Sequence, residues 1–551
     1  MIFKERLISL RNLIHSKNFF LVSFLLILCI GIFLRTYHFH DWLLFEKDQV
    51  RDAVFTEQVL TGEKSWPVFG PTMRASGEDK ETLFHIGPVY YYFQILSAMI
   101  FGPEAEVMAY PDLLFSILSL PLFFFFLRKY FTENISLALM GVYAISFFII
   151  KYSRFAWNPN LIPFFSLLFL FSAHEFLINK EKTRWFWVVS YAIALGIGVQ
   201  LHATTLILFS AVFIVTTLFL FYKNRGIWKK IFVIIFLALC INAPQVVSEF
   251  STGFTNTRIL FHFSEKNDTS KTLSHKTTSA ILADTLSCHL ENNAYIFFSL
   301  GNKDCSYSFV KVLEKSPAGN RFRSTVSWIG LLGIFFFSFL GYISFWYKFF
   351  QEEDRNKKYF LGLLISFFSL FFVIMIPIVG GSEFKEFRYF SPVFFVAFFF
   401  VGFFIEWFVS SRKLKYAVLF LLVGVASIGN IQALADQVTI LSSYEGNNGH
   451  AVYYGEVENI VKYMQEMTGS ARKIYVMSEK IYTGNIFLPG AYVARKTGYE
   501  LIRTFEIEDV PLGSPLFFLA INRGENELII RGLPVKSVKN FGKMRVYQLE
   551  Y

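Results

Sequence analysis

The stretch GPVYYYFQILSAMIFG, residues 87–102, is apolar enough to read as a membrane helix, and the topology of the whole chain turns on it. A span needs roughly 20 apolar residues to cross about 30 Å of hydrocarbon. This run is shorter, is bounded by Gly87-Pro88 and Gly102-Pro103, and carries three consecutive tyrosines, which favour the headgroup region. An interfacial or re-entrant helix suits it better than a crossing. Apolar runs elsewhere, such as FFLVSFLLILCIGIFL (19–34) and LGLLISFFSLFFVIMIPIVG (361–380), are near bilayer length, and the cations gather in short connections between them: RKYFTEN, NKEKTR, FYKNRGIWKK, FQEEDRNKK and SSRKLK. If 87–102 stays on one side, all of these connections fall on the side of the N-terminus, which the positive-inside bias makes cytoplasmic. If it crosses, they alternate. The expected spans are therefore 19–36, 110–127, 137–152, 160–178, 186–201, 204–222, 230–248, 326–346, 359–379, 388–409 and 414–433, which leaves the C-terminus outside.

Composition agrees with an α-helical polytopic membrane protein: 54% of the 551 residues are hydrophobic, 17% are charged and 70 are Phe. The formal charge of +10 then reports topology, and no nucleic-acid partner is expected. The basic start MIFKERLISLRNLIHSK resembles a signal-peptide flank, but the run after it is long and lacks a small-x-small site, so it reads as a retained helix of a plasma-membrane protein. Outside the membrane lie 37–109, SRFAWNPN (153–160), QLHATT (200–205), a long loop 249–325 and GGSEFKEFRYF (380–390). Past residue 433 the pattern changes. VENIVKYMQEM repeats apolar residues at helical spacing, and KIYVM, LFFLAI, ELII and MRVYQLEY are β-prone. The expectation is a transmembrane domain over 1–433 and an extracytoplasmic α/β domain over 434–551. Cys288 and Cys305 share the long loop, where a disulfide and two free thiols both fit.

Chemistry concentrates in FEKDQVRDAVF (45–55). Locally it reads as an interfacial helix capped by Asp48, with Arg51 balancing the carboxylates and Val50, Ala53, Val54 and Val59 on an apolar face. Across the outer segments stand the cations Arg74, His85, Arg154, His202, Lys385 and Arg388. Gathered in one chamber they would suit a phosphate at headgroup depth. Taken singly, Arg154 and Arg388 read as snorkelling anchors, His202 as a structural histidine, and Lys385 as a partner of neighbouring charges.

These segments resemble the GT-C class of membrane glycosyltransferases, in particular the branch of protein O-mannosyltransferases and lipid A aminoarabinose transferases. That branch carries Asp-Glu-x-x-Arg in its first external loop. Asp48-Gln49-Val50-Arg51 matches the first acid and, with one residue fewer between, the Arg, while Gln49 replaces the second acid. HIGPVYYYF (85–93) stands where the branch has a Pro-Pro-Leu-Tyr-Tyr-like segment, and YSRFAWNPNLIPF is similar to the segment after its third helix. The resemblance spans about residues 19–260. It implies a GT-C-like fold and inverting transfer of one sugar from a polyprenyl-phosphate carrier to an acceptor protein, lipid or glycan on the extracytoplasmic face. Asp48 would be the general base, Arg51 its orienting partner and Asp52 a second carboxylate; Arg74, His85, Arg154, His202, Lys385, Arg388, Tyr90 and Tyr91 would contact donor phosphate, sugar or prenyl chain. With no second acid at Gln49 and no carboxylate in SRFAWNPN, no obligatory metal is expected, and a divalent cation is optional. The competing readings are a transporter or flippase of a lipid-linked sugar, and a GT-C ligase that uses a diphosphate carrier.

Overall fold

The computed structural model describes residues 17–74, 83–179, 182–223, 225–262, 278–299, 338–379, 387–408, 411–442, 452–478, 486–522 and 527–551. The chain begins with α1 (Lys17–Thr36) and α2 (Lys47–Leu60), followed by the hairpin β1 (Thr72–Arg74) and β2 (Leu83–His85) and by α3 (Val89–Phe101). Next come α4 (Tyr110–Leu127), α5 (Glu133–Ile145), α6 (Phe147–Lys151), α7 (Ile162–Asn179), α8 (Trp185–Leu201) and α9 (Ala203–Lys223). Then follow α10 (Trp228–Ile241), α11 (Ala243–Ser251), α12 (Thr255–His262), α13 (Thr278–Phe298), a helical run at 338–351, α14 (Arg355–Val379), α15 (Val396–Phe408) and α16 (Arg412–Ser442).

Among the described residues, six helices are long and apolar enough to cross a membrane, or seven if the bent pair α10–α11 counts as one span. The stretch 87–102 forms only the 13-residue helix α3, about 20 Å long at 1.5 Å per residue and so too short to cross. It buries Tyr90, Tyr91, Gln94 and Ile95 and leaves Leu96, Met99, Ile100 and Phe101 exposed, the two-faced pattern of an interfacial helix.

Three expected elements differ. The span 137–152 is broken at Ser146 between α5 and α6. The span 230–248 bends by 71° at Asn242, where Pro244 in the first turn of α11 removes a backbone donor. Within the expected loop 249–325, α13 packs on α14, α15 and α16 and joins the main core through Cys288, Ile296 and Phe297. Its buried His289, Glu291, Asn292 and Asn293 interrupt the apolar pattern that reveals a core helix in sequence. Cys305 lies outside the described residues.

The main core is a lattice of phenyl rings. Phe126, Phe131, Phe395, Phe399 and Phe403 meet at centroid distances of 5.1–6.2 Å, tilted or edge-on, and Phe123 stands edge-on to Phe398 at 5.0 Å. In lipid, helices associate through contact and not through exclusion of water, so ring-to-ring packing replaces the usual hydrophobic drive. Small residues make the sockets: a Cβ on Gly402 would lie 2.4 Å from the Phe131 ring, and one on Gly341 2.2 Å from Phe400.

The C-terminal part holds α17 (Tyr454–Thr468), β3 (Lys473–Ser478), α18 (Leu488–Lys496), β4 (Glu500–Arg503), β5 (Leu516–Ile521), β6 (Ile529–Ile530), β7 (Leu533–Phe541) and β8 (Met544–Leu549). Its six strands run in the order β4-β3-β5-β8-β7-β6, parallel about β3 and antiparallel from β5 onward. The helices cover one face. That core continues without a break into Leu43, Phe45, Val50 and Ala53 near the other end of the chain.

Candidate active site

Helix α2 carries the acidic motif. Glu46, not Asp48, stands at its N-cap, and the Glu46 backbone N–H donates to Gln49 Oε1 at 3.0 Å, half of a capping box. Asp48 therefore lies inside the first turn with its carboxylate turned outward, 55% exposed. Arg51 reaches it from one turn on: NH1 donates to Asp48 Oδ1 at 3.0 Å, and Nε donates to Asp52 Oδ1 at 2.8 Å. Asp52 is 2% exposed and also accepts from the Tyr91 hydroxyl at 2.9 Å. Burial raises the Asp52 pKa, and Arg51 and Tyr91 pull it back. Burial alone would lower that of Arg51, but its carboxylate partners raise it above the ordinary range. The result is a graded chain in which buried Tyr91 and Asp52 hold Arg51, and Arg51 holds exposed Asp48. Asp52, expected as a second carboxylate for catalysis, is placed as the anchor of this chain.

Gln49 explains its departure from the acidic motif. Its Nε2 donates to the Ala156 carbonyl at 3.0 Å, a bond that a carboxylate lacks the proton to make. This ties α2 to the segment 153–160. The same segment is tied to α4, where Asp112, 1% exposed, accepts from Tyr90 OH at 2.8 Å and from the Trp157 backbone N–H at 3.2 Å. Asn158 in turn donates to the Leu201 carbonyl, and Gln200 Oε1 accepts the Val89 N–H at 3.1 Å, closing a ring of contacts back to α3. His202 follows directly, with its ring 5.9 Å from that of Tyr389. The segments bearing Asp48, Tyr90, Tyr91, Arg154, His202 and Arg388 thus meet at one end of the bundle. Below Asp112 a narrow cavity of about 20 Å³, edged by Ser116, Ser119, Tyr143 and Asn160, has room for about one water.

The expected cations fare unequally. Arg154 is a helix cap: NH1 donates to the carbonyls of Leu34 and Arg35, NH2 to those of Tyr37 and His38, and its plane lies over Phe39 and Trp42. It thereby satisfies the carbonyls that α1 leaves open at its C-terminus. Burial lowers its pKa to about 10. Committed in this way, the group is not disposed to bind phosphate. The Tyr90 and Tyr91 hydroxyls are likewise engaged with carboxylates and not turned to a sugar. His85 ends β2, with Nδ1 3.4 Å from the Gly70 carbonyl. Arg74 pairs across the hairpin with Leu83 in register, and Arg388 lies in the short helical turn Phe387–Val393; their side chains, and all of Lys385, lie outside the described residues. Among the described residues, no group of three or more His, Cys, Asp or Glu is arranged to hold a metal ion.

Sequence reasoning missed the C-terminal contribution. Tyr454 N–H donates to Leu43 O, Gly455 N–H to Asp41 O, and Leu44 forms a β-bridge with Tyr453, so α17 starts beside α2. Burial raises the pKa of Glu46 there, and it raises that of Glu456 to about 7; Lys543, from the β7–β8 hairpin, acts electrostatically on both in the opposite sense. Asp112 could have been found as the one acid inside the apolar run 110–127. Nothing local announced Glu456.

Residues 85–247, less than half of the chain, match the model of the family described as dolichyl-phosphate-mannose-protein mannosyltransferase. The resemblance to membrane glycosyltransferases therefore holds over the stretch that contains His85, Gly87-Pro88, Arg154 and His202, and it begins after Asp48. Solved structures with similar architecture include the oligosaccharyltransferase of Archaeoglobus fulgidus in its apo form, with 14% identity, 92% of this chain and 70% of that one covered, and a TM-score of 0.49. ArnT from Cupriavidus metallidurans bound to undecaprenyl phosphate follows at 12% identity, with 97% of this chain and 98% of that one covered and a TM-score of 0.41. No curated protein sequence matches the chain.

Proposed function

We propose that this protein is an integral-membrane glycosyltransferase that moves a single sugar from a polyprenyl-phosphate carrier to an acceptor on the extracytoplasmic face. The observation that carries the reading is the exposed Asp48 carboxylate held by Arg51, which is itself anchored on buried Asp52. The family match over 85–247 supports the donor class. In the reaction an acceptor O–H or N–H gives its proton to Asp48 as the oxygen or nitrogen attacks the anomeric carbon. The bond from that carbon to the phosphate oxygen breaks from the opposite face, so the configuration inverts, and polyprenyl phosphate leaves with the electron pair. The leaving phosphate needs cationic stabilisation, for which His85, His202, Arg74, Lys385 and Arg388 are the candidates. Alignment of donor and acceptor supplies much of the remaining rate.

The test is turnover by the purified protein in lipid nanodiscs supplied with polyprenyl-phosphate sugars, read as released polyprenyl phosphate. Asp48→Asn is expected to lower kcat by roughly 10²–10⁴-fold. Unchanged turnover removes Asp48 from the role of base, and a requirement for a diphosphate carrier moves the protein to the ligase class. A transporter reading draws on a separate observation, the burial of His289 and Asn293 in the core helix α13. Sugar-lipid translocation across the bilayer without carrier release would favour it.

A further inference from the structure

The first turn of α12 carries an asparagine that neither the motif nor the family match singles out. Asn256 is 6% exposed, and both ends of its amide are used on the backbone of one residue: Oδ1 accepts the His85 N–H at 2.7 Å, and Nδ2 donates to the His85 carbonyl at 2.9 Å. A primary amide that meets both backbone groups of one residue in this way imitates a neighbouring β-strand, and it does so at the outer edge of β2. The approach to that position is built with care. Gly253 and Phe254 both take left-handed conformations, φ +65° and +63°. For Phe254 this costs about 1 kcal/mol or more, a strain that persists only where surrounding contacts over-determine it. Glu249, 8% exposed, supplies one such contact by accepting the Thr257 N–H with Oε2 at 3.2 Å and so tying α12 back to α11. On its other side His85 is braced by the Gly70 carbonyl and by the Phe69 ring at 5.4 Å.

We propose that Asn256 is a positioning residue for His85, which fixes the imidazole where the donor's phosphate is bound. The inference rests on the reading of His85 as a donor-phosphate contact. Asn256 itself touches neither substrate nor reacting atoms. It holds the peptide on which His85 sits, with Nδ1 toward Gly70 O, so that Nε2 is the nitrogen left to meet a ligand. Position 256 needs a side chain that both donates and accepts at this length, which Asp does only by half and Ala not at all.

Two measurements test this, one of which needs no turnover. Hydrogen–deuterium exchange of the intact protein in nanodiscs should show the backbone around 83–88 exchanging about tenfold faster in Asn256→Ala, the equivalent of one hydrogen bond of ordinary net strength. Unchanged exchange there would overturn the proposal. In turnover with a polyprenyl-phosphate sugar, Asn256→Ala should lower kcat/KM about tenfold, and Asn256→Asp should fall between it and the parent. In a His85→Ala background, Asn256→Ala should add nothing further, because the two act as one unit. An equal penalty in both backgrounds would overturn the proposal and make Asn256 merely structural. If the parent protein releases no carrier from any polyprenyl-phosphate sugar, the transferase reading falls, while the exchange result still decides whether Asn256 holds His85.

Discussion

Asp48 and Asp52 are four residues apart on one helix, and the structure gives them opposite surroundings. One faces outward, and the other is closed in by Tyr91 and Arg51. Tyr91→Phe removes one of the two donors to a buried carboxylate and is expected to cost about 1–3 kcal/mol of stability, read as a lower melting temperature in detergent. It should also lower kcat, because Arg51 and then Asp48 lose their fixed geometry. Arg154 makes the contrasting case. Arg154→Met should lower the melting temperature by removing the cap of α1 yet leave KM for the proposed donor unchanged; a large rise in KM would return Arg154 to the candidate phosphate contacts. The contact between Asp48 and Arg51 was legible in the sequence because the two are neighbours on one turn. It could not tell which carboxylate was buried, since that depends on Tyr91 arriving from another helix 39 residues away.

Among the elements, the hairpin β1–β2 and the start of α3 are packed at backbone distance. A Cβ on Gly70 would lie 2.2 Å from the Gly87 carbonyl oxygen, and one on Gly87 2.3 Å from the Gln200 side chain, whose Oε1 receives the first N–H of α3. Gly87→Ala is therefore expected to dislodge Gln200, leave the Val89 N–H unpaired and cost about 1–3 kcal/mol, measurable by thermal shift. The Gly87-Pro88 pair reads in sequence as a helix start, and α3 does begin there with Pro88 at its N-cap. The reason for the glycine was invisible, because Gln200 comes from α8. Element type was legible wherever apolar periodicity ran unbroken, as in α4, α7 and α9. It failed at α13, where four polar or charged positions within five residues are buried, His289 among them against Phe372 and Phe390.

At the scale of the molecule, the C-terminal unit is pinned to the first loop at two places. Glu57 on α2 meets Arg495, Lys496 and the Tyr492 hydroxyl. His40 stands between Glu106, 3.1 Å from Nδ1, and Glu458, 2.7 Å from Nε2. Burial works against a charge on the ring, but the bonds and charges of Glu458 and Glu106, one carboxylate at each nitrogen, outweigh it and the His40 pKa is raised. Its folded value thus exceeds the unfolded one, so its stabilisation is fully present below the unfolded pKa and is lost as pH rises through the folded one. Glu456, raised to about 7, favours its protonated form in the folded chain and works in the same direction. Exchange at 454–468, corrected for its intrinsic pH dependence, should therefore quicken as pH rises from about 5 through neutrality, and His40→Ala should weaken the part above about pH 6.5. Because His40 and Glu458 are both substantially exposed, the single contact contributes only about 0.2–1 kcal/mol.

The apolar core that joins Leu43, Phe45 and Ala53 to Val457, Ile460 and Tyr492 bears on how the chain is made. His40 and its partner Glu458 are 418 residues apart. Until nearly the whole polypeptide has been synthesised, the loop bearing Asp48 has no lid to fold against, and its greasy side chains must wait uncovered. A fragment that stops after α16 would leave the ribosome with that loop half covered, and the detached C-terminal piece would carry a sticky wound where the loop belongs.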